Sequence, residues 1–260
     1  MSTADELLRV ENISLSFGGL QALNKVSFSV SRGQVFSIIG PNGAGKTSIL
    51  NCLSGRYRPQ SGEVYYENED LLAKPVYART RLGIARTFQN LALFEHMSVL
   101  DNILVGRHHL LKTGFLRGAL YWFGGAQREE MTHRREIEEI IDFLEIQAVR
   151  HTPAGALPYG IRKRVELARA VSARPQLILL DEPMAGMNLD EKEDMARFIL
   201  DLNEEWNITV VMIEHDMSVV MDISEEILAL DFGSVIAGGT PEEVMQNERV
   251  KTAYLGADAA

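Results

Sequence analysis

Eight consecutive residues, Gly40-Pro41-Asn42-Gly43-Ala44-Gly45-Lys46-Thr47, carry the clearest chemistry in this chain of 260 residues. They fit the phosphate-binding pattern G-x-x-x-x-G-K-[ST]. Glycines let the backbone wrap a phosphate, while successive amide N–H groups and the dipole of a following helix supply positive potential. Lys46 adds a point charge suited to the β- and γ-phosphates of a nucleotide, and the Thr47 hydroxyl is suited to Mg²⁺. Ser48 opens the run that follows and counts with the loop as a candidate nucleotide contact. A second cluster closes the run Leu177-Ile178-Leu179-Leu180-Asp181-Glu182, an apolar segment that ends in two carboxylates. At the carboxyl end of a parallel strand, Asp181 can hold a Mg²⁺ hydration shell and Glu182 can orient or deprotonate a water. Alone, such a pair would equally suit a solvated strand cap. Downstream of a phosphate loop it points to hydrolysis.

These groups need particular elements to position them. Residues 35–39, Val-Phe-Ser-Ile-Ile, are apolar and β-branched, which predicts a buried parallel strand, and residues 48–53 predict a helix ending near Ser54-Gly55. The motif therefore sits at a strand–loop–helix junction. Residues 7–31 alternate in polarity and predict short strands, with turns at Gly18-Gly19 and at 31–33. A further strand is expected over 63–66. Residues 98–151 read as mostly helical, with Ile137, Ile140, Ile141 and Leu144 on one face. Beyond them the chain alternates again: helix over 161–171, strand over 177–180, helix over 191–205, strand over 208–213, then a hairpin of 227–230 and 234–237.

Composition bounds the remaining possibilities. The chain is 46% hydrophobic and 24% charged, as an ordinary globular protein is. No apolar run approaches the ~20 residues of a membrane span, and the polar, acidic start predicts no signal peptide. A single cysteine, Cys52, excludes internal disulfides, and the six histidines show no ligand spacing, so no structural metal is expected. The net charge of −10 argues against nucleic acid as a partner.

Five motifs occur in order: the phosphate loop, Arg86-Thr87-Phe88-Gln89, Leu157-Pro158-Tyr159-Gly160-Ile161-Arg162-Lys163-Arg164, Leu179-Leu180-Asp181-Glu182-Pro183 and Ile213-Glu214-His215-Asp216. Together they cover nearly the whole chain. The set resembles the ATPase subunit of an ATP-binding cassette (ABC) transporter, and more narrowly the cassettes of bacterial branched-chain (hydrophobic) amino-acid importers. Three details favour the narrower likeness: a long helical segment with an insertion around 106–135, Tyr159-Gly160 where most cassettes have Gly-Gly, and Asn188 where an aspartate is usual.

The resemblance implies an α/β fold, a P-loop NTPase (RecA-like) core with an antiparallel β subdomain and an inserted α-helical subdomain. Residues 1–94 and 161–260 would form the core and 95–160 the helical signature subdomain. It implies ATP and Mg²⁺ as cofactors. It further implies a second ATPase subunit, either an identical copy or a related cassette, and multi-span permease subunits. An extracytoplasmic substrate-binding protein would act indirectly. Location would be peripheral, at the cytoplasmic face of the inner (plasma) membrane. Roles follow by position: Phe17 stacks on adenine, Lys46 and the loop amides hold phosphates, and Thr47, Gln89 and Asp181 serve the metal. Gln89 also senses the γ-phosphate, Glu182 is the catalytic carboxylate, and His215 contacts the γ-phosphate. Tyr159 and Gly160 belong to the signature that faces the partner's nucleotide.

Pro158 departs from the common signature, having neither a hydroxyl nor an N–H, and a lost hydrogen bond to a charged group costs ~1.5–3 kcal/mol. Residues 110–123 mix aromatic, apolar and basic side chains. They suit either a membrane-facing surface or local packing, and the interleaved glycines favour packing. Two other functions stay open at this point: a soluble cassette ATPase uncoupled from transport, and a non-catalytic nucleotide-dependent binding module.

Overall fold

A computed structural model of the chain describes residues 6–87, 91–110 and 125–255, with the backbone alone for 125–133 and 255. The N-terminal part is a β layer. Strands β1 (Glu6–Phe17) and β2 (Leu20–Ser31) pair antiparallel, and β4 (Ser61–Tyr66) and β5 (Glu69–Asp70) extend the sheet in the order β2-β1-β4-β5. The short strands expected over 7–31 are in fact two strands of 12 residues each. Register shifts between Val10 and Ile13, with Asn12 at φ 50° and Lys25 at φ 51°, bend the pair and break the strict alternation that marks a single long strand in sequence.

The second layer is a six-stranded sheet in the order β10-β9-β3-β8-β7-β6. Its strands are β3 (Val35–Ile39), β6 (Ile84–Arg86), β7 (Leu177–Asp181), β8 (Thr209–Ile213), β9 (Glu226–Asp231) and β10 (Ser234–Gly239). All pair in parallel except β10, which turns back on β9 as a hairpin. Every residue of β3, β7 and β8 is buried, which explains their largely apolar sequences, in which Ser37, Asp181 and Thr209 are the polar exceptions.

Helix α1 (Lys46–Leu53) packs under the β layer, and α2 (Val76–Arg81) precedes β6. Helices α3 (Val99–Gly106) and α4 (Gly125–Phe143) lie in the segment read as helical, followed by 3₁₀ turns at Gln147–Val149 and Ala154–Ala156. Then come α5 (Tyr159–Val171), α6 (Leu189–Glu204), α7 (Met217–Ile223), α8 (Pro241–Gln246) and α9 (Glu248–Leu255). Sequence periodicity did not reveal α2, β6, α8 or α9, which are too short to show a clear repeat.

The period of two along each strand separates two cores. Leu177 and Leu179 join Phe36, Ile38, Val211 and Ile213 against α1 and the β layer, where Phe28 stacks on Phe36 at 5.3 Å. Ile178 and Leu180 face the other way, onto Val165, Leu167, Phe198 and Ile199. Ile137, Ile140, Ile141 and Leu144 of α4 are all buried in that same core, as their spacing predicts. A third cluster joins Ile39 and β9 to Val220, Val244 and Val250 of the C-terminal helices. Each fully buried Leu or Ile contributes roughly 1.5–3 kcal/mol.

Candidate functional site

The phosphate loop leaves β3 and enters α1 through backbone conformations reserved for glycine. Gly40 has φ 147°, and a Cβ there would lie 2.2 Å from the Leu230 carbonyl oxygen. Gly45 has φ 101°, and its Cβ would lie 2.4 Å from the Ala22 carbonyl. Neither position accepts a side chain. Helix α1 begins with Gly45 as N-cap and no side-chain cap, whereas Ser98, Asn188, Asp216 and Thr240 cap α3, α6, α7 and α8. The first α1 amide bonded within the helix is that of Ile49, to Gly45 O. The amides of Lys46, Thr47 and Ser48 are thus left for an anion, at the positive end of the dipole. Pro41 and Ala44 tie the loop into a turn through an amide–carbonyl bond of 3.1 Å.

Lys46 is buried, and its Nζ donates to Gly40 O (2.6 Å) and Pro41 O (3.0 Å). Burial lowers its pKa, opposed by the negative charges of Glu182 and Asp181. A cavity of about 380 Å³ opens over the loop, lined by residues 42–48 with Phe17, Leu20, Glu182 and Phe232. That volume lies in the range of small-molecule sites. Phe17 is half exposed, and its ring packs edge-on against Tyr57 at 5.0 Å, leaving it at the cavity wall.

Asp181 and Glu182 follow β7 to its carboxyl end but have different surroundings. Asp181 is buried, and its Oδ2 accepts from Arg86 at 2.9 Å. Burial raises its pKa, and the Arg86 guanidinium opposes that rise. Its other oxygen, Oδ1, is buried without a hydrogen-bond partner. A buried carboxylate oxygen without a hydrogen-bond partner is a hard donor, of the kind that suits Mg²⁺ held by few protein ligands plus phosphate and water. Among the described residues no group of three or more His, Cys, Asp and Glu side chains forms an all-protein metal cage.

Glu182 adopts φ 52°, a strained left-handed conformation for a non-glycine residue. Both its backbone groups are pinned: its N–H donates to Ile213 O (3.0 Å) and its carbonyl accepts from Lys163 Nζ (3.2 Å). The strain is held by neighbouring strand and helix, and it turns the Glu182 side chain into the cavity.

The signature residues and His215 do not line that cavity. Tyr159 and Gly160 open α5, whose N-cap is Pro158 and which again has no side-chain cap. Gly160 lies so close to α6 that a Cβ would meet Glu191 Oε1 at 2.2 Å, and Tyr159 packs over Gly186. Asn188, the departure noted in the sequence, is the N-cap of α6 and forms a capping box with Glu191. His215 is largely exposed after β8, beside the buried Glu214, whose carboxylate accepts from the amides of Met184 (2.9 Å) and His215 (3.2 Å). Burial raises the Glu214 pKa against those bonds. Gln89 and Phe88 lie outside the described residues. So do residues 111–124 of the 106–135 insertion. Of the apolar cluster beside Gln89, Leu93 is core whereas Phe94 is exposed.

Sequence reasoning assigned no role to Arg86, Lys163, Leu20 or Phe232. An arginine closing the short apolar run Ile84-Ala85 was the one available signal for Arg86. Nothing near Lys163 or Phe232 in sequence indicates their partners.

A family model described as ABC transporter matches residues 23–185, a span that holds both the phosphate loop and the β7 carboxylates. The chain belongs to the ABC transporter family. A shorter model, branched-chain amino acid ATP-binding cassette transporter, matches residues 234–260 of this ABC cassette. The high-affinity branched-chain amino acid transport ATP-binding protein BraF of Pseudomonas aeruginosa is 41% identical over 252 residues, covering 96% of the cassette and 98% of the relative. Among solved structures, the ADP conformation of an ATP-binding cassette of an ABC transporter superposes with a TM-score of 0.83 at 34% identity, covering 96% and 99%. A dimeric post-hydrolysis cassette bound to ADP and Pi gives 0.76 at 25%, covering 90% and 99%. The α/β fold expected from sequence is thus the cassette fold, and its activity is that of a transport ATPase. Among the described residues, no helix of the cassette is long and apolar enough to cross a membrane.

Proposed function

We propose that this cassette is the ATP-hydrolysing subunit of an importer for branched-chain or closely related apolar amino acids. The observation that carries the substrate class is the BraF likeness, which runs over almost the full length of both chains. In this reading ATP lies in the 380 Å³ cavity with its base against Phe17. The loop amides of residues 43–48 and Lys46 Nζ hold the β- and γ-phosphates. Mg²⁺ would be held by Thr47, Asp181 and Gln89, and would neutralise phosphate charge during transfer. Glu182, fixed in its strained conformation, orients the attacking water and takes its proton. His215 contacts the γ-phosphate, and Gln89 relays its presence to the permease.

Tyr159, Gly160 and the uncapped start of α5 do not line this cavity, and in this reading a second cassette supplies them to it across a head-to-tail dimer. Residues 95–160 form the arm that carries this surface, and exposed Phe94, at the end of the core segment that leads into it, contacts a permease helix. The cassette then sits at the cytoplasmic face of the membrane, held by multi-span permease subunits, and an extracytoplasmic protein delivers the amino acid. The full assembly, reconstituted in vesicles, should hydrolyse ATP faster with leucine-loaded binding protein outside than with the unloaded protein, and take up leucine. Hydrolysis indifferent to every apolar amino acid would overturn the assigned substrate class.

Pro158 predicts a weak sandwich. As N-cap it offers α5 no side-chain oxygen, and it offers a facing phosphate no donor. Pro158→Ser restores both, since a serine hydroxyl can accept from its own helix and still donate outward. In a Glu182→Gln background it should tighten the Mg-ATP dimer by roughly ten- to a hundredfold, the value of one hydrogen bond to a charged group. Sedimentation with and without Mg-ATP measures this. An unchanged dimer would mean that the hydroxyl is irrelevant.

A further inference from the structure

The phosphate loop is braced from behind by the C-terminal segment, through contacts that the motif does not contain. The Gly40 amide donates to Tyr254 Oη at 2.8 Å, across 214 positions of sequence. The Gly233 amide, at the tip of the β9–β10 hairpin, donates to Ala44 O at 3.0 Å. Tyr254 lies on α9, which docks through Val250 and, with α8, covers Ile39 and Ala229. A cavity of about 770 Å³ separates this helix from the hairpin, lined by Pro41, Phe232, Val235, Ile236, Thr252 and Ala253 among others. The Tyr254 hydroxyl links α9 directly to the first glycine of the loop.

Gly40 is where the chain turns out of β3, at a φ of 147° that only glycine adopts freely. Its N–H is taken by Tyr254 and its C=O by Lys46 Nζ at 2.6 Å. The two bonds fix the rotations on either side of the same Cα. Lys46 must leave or share its carbonyl partners to reach a phosphate, and Tyr254 then remains as the bond that keeps Gly40 in place.

We propose that Tyr254 is a positioning residue for the phosphate loop, and that its hydroxyl, by holding the Gly40 amide, sets nucleotide affinity. This inference rests on the ATPase reading above. It gives the C-terminal helix a role in the nucleotide site.

Tyr254→Phe keeps the ring and removes only the acceptor. ATP affinity should fall roughly tenfold, as for a buried amide left without its partner. KM for ATP should rise more than kcat falls, because the loop binds phosphate in ground and transition states alike. The Gly40 amide should also exchange faster with solvent than in the wild type, with the melting temperature nearly unchanged. Val250→Ala is the control, since it loosens α9 packing and leaves the hydroxyl in place. If Tyr254→Phe binds ATP as the wild type does, the inference is wrong and the ATPase reading stands. If Val250→Ala lowers affinity as much as Tyr254→Phe, the effect is general packing and the inference is likewise overturned. If the wild-type protein itself fails to bind ATP, the ATPase reading falls first.

Discussion

Glu182→Gln should bind ATP within a few-fold of the wild type and lose steady-state hydrolysis by roughly a hundredfold to ten-thousandfold, the range of a removed general base. The amide keeps the shape of the carboxylate. The backbone bonds to Ile213 and Lys163 involve no side-chain atom of Glu182, so they should persist. The position is strained for glutamine and glutamate alike at φ 52°, so stability should change little. The assay is phosphate release by the full transporter alongside nucleotide binding by the isolated cassette. Turnover near the wild-type rate would remove Glu182 from the chemistry and leave the left-handed conformation to be explained by packing.

Arg86→Ala should have the largest effect on folding. The Arg86–Asp181 pair is almost fully enclosed, with side-chain exposures of 7% and 2%. Arg86 also donates to Asn51 Oδ1 (2.8 Å) and Ser54 Oγ (2.7 Å), joining β6 to α1. Removing one partner of a buried pair leaves an uncompensated charge at a cost of about 3–5 kcal/mol. For a chain of this size that lowers the melting temperature by roughly 6–20 °C. The remaining carboxylate should meet the cost by holding a proton to higher pH, as burial already raises its pKa. Adding Asp181→Asn to Arg86→Ala should recover part of the stability by removing the charge, and none of the hydrolysis. A single variant melting within about two or three degrees of the wild type would show that water already compensates Asp181.

These two residues mark how far the sequence could be read. Strand β7 was legible because Leu177 to Leu180 are apolar on both faces and the carboxylates follow them directly. The phosphate loop was legible because its geometry is written in adjacent residues. The helical face Ile137, Ile140, Ile141 and Leu144 was legible from spacing alone. Arg86 was not, since its partner lies 95 positions away and no local pattern points to it. Tyr254 is hidden for the same reason. The paired β1 and β2 were misread as short pieces because bulges reset the alternation between Val10 and Ile13. Leu93 and Phe94 are neighbouring apolar residues in a loop, and sequence does not reveal which one turns inward: Leu93 is core and Phe94 is exposed.

The strand order also fixes a timetable for synthesis. Strand β3 pairs only with β8 and β9, so Val35 finds its partner at Val210 and Ile39 at Ala229. The β layer of β1, β2 and β4 can close while the chain is still short, since its pairings fall within residues 6–66. The strand that launches the phosphate loop must wait for more than half the chain to leave the ribosome, on the order of ten to thirty seconds at 5–20 residues per second. Throughout that interval an unpaired, mostly apolar strand is exposed in the nascent chain. A ribosome paused after α5 would display this motif complete in sequence yet unable to hold a nucleotide, and a holdase chaperone would find its substrate there.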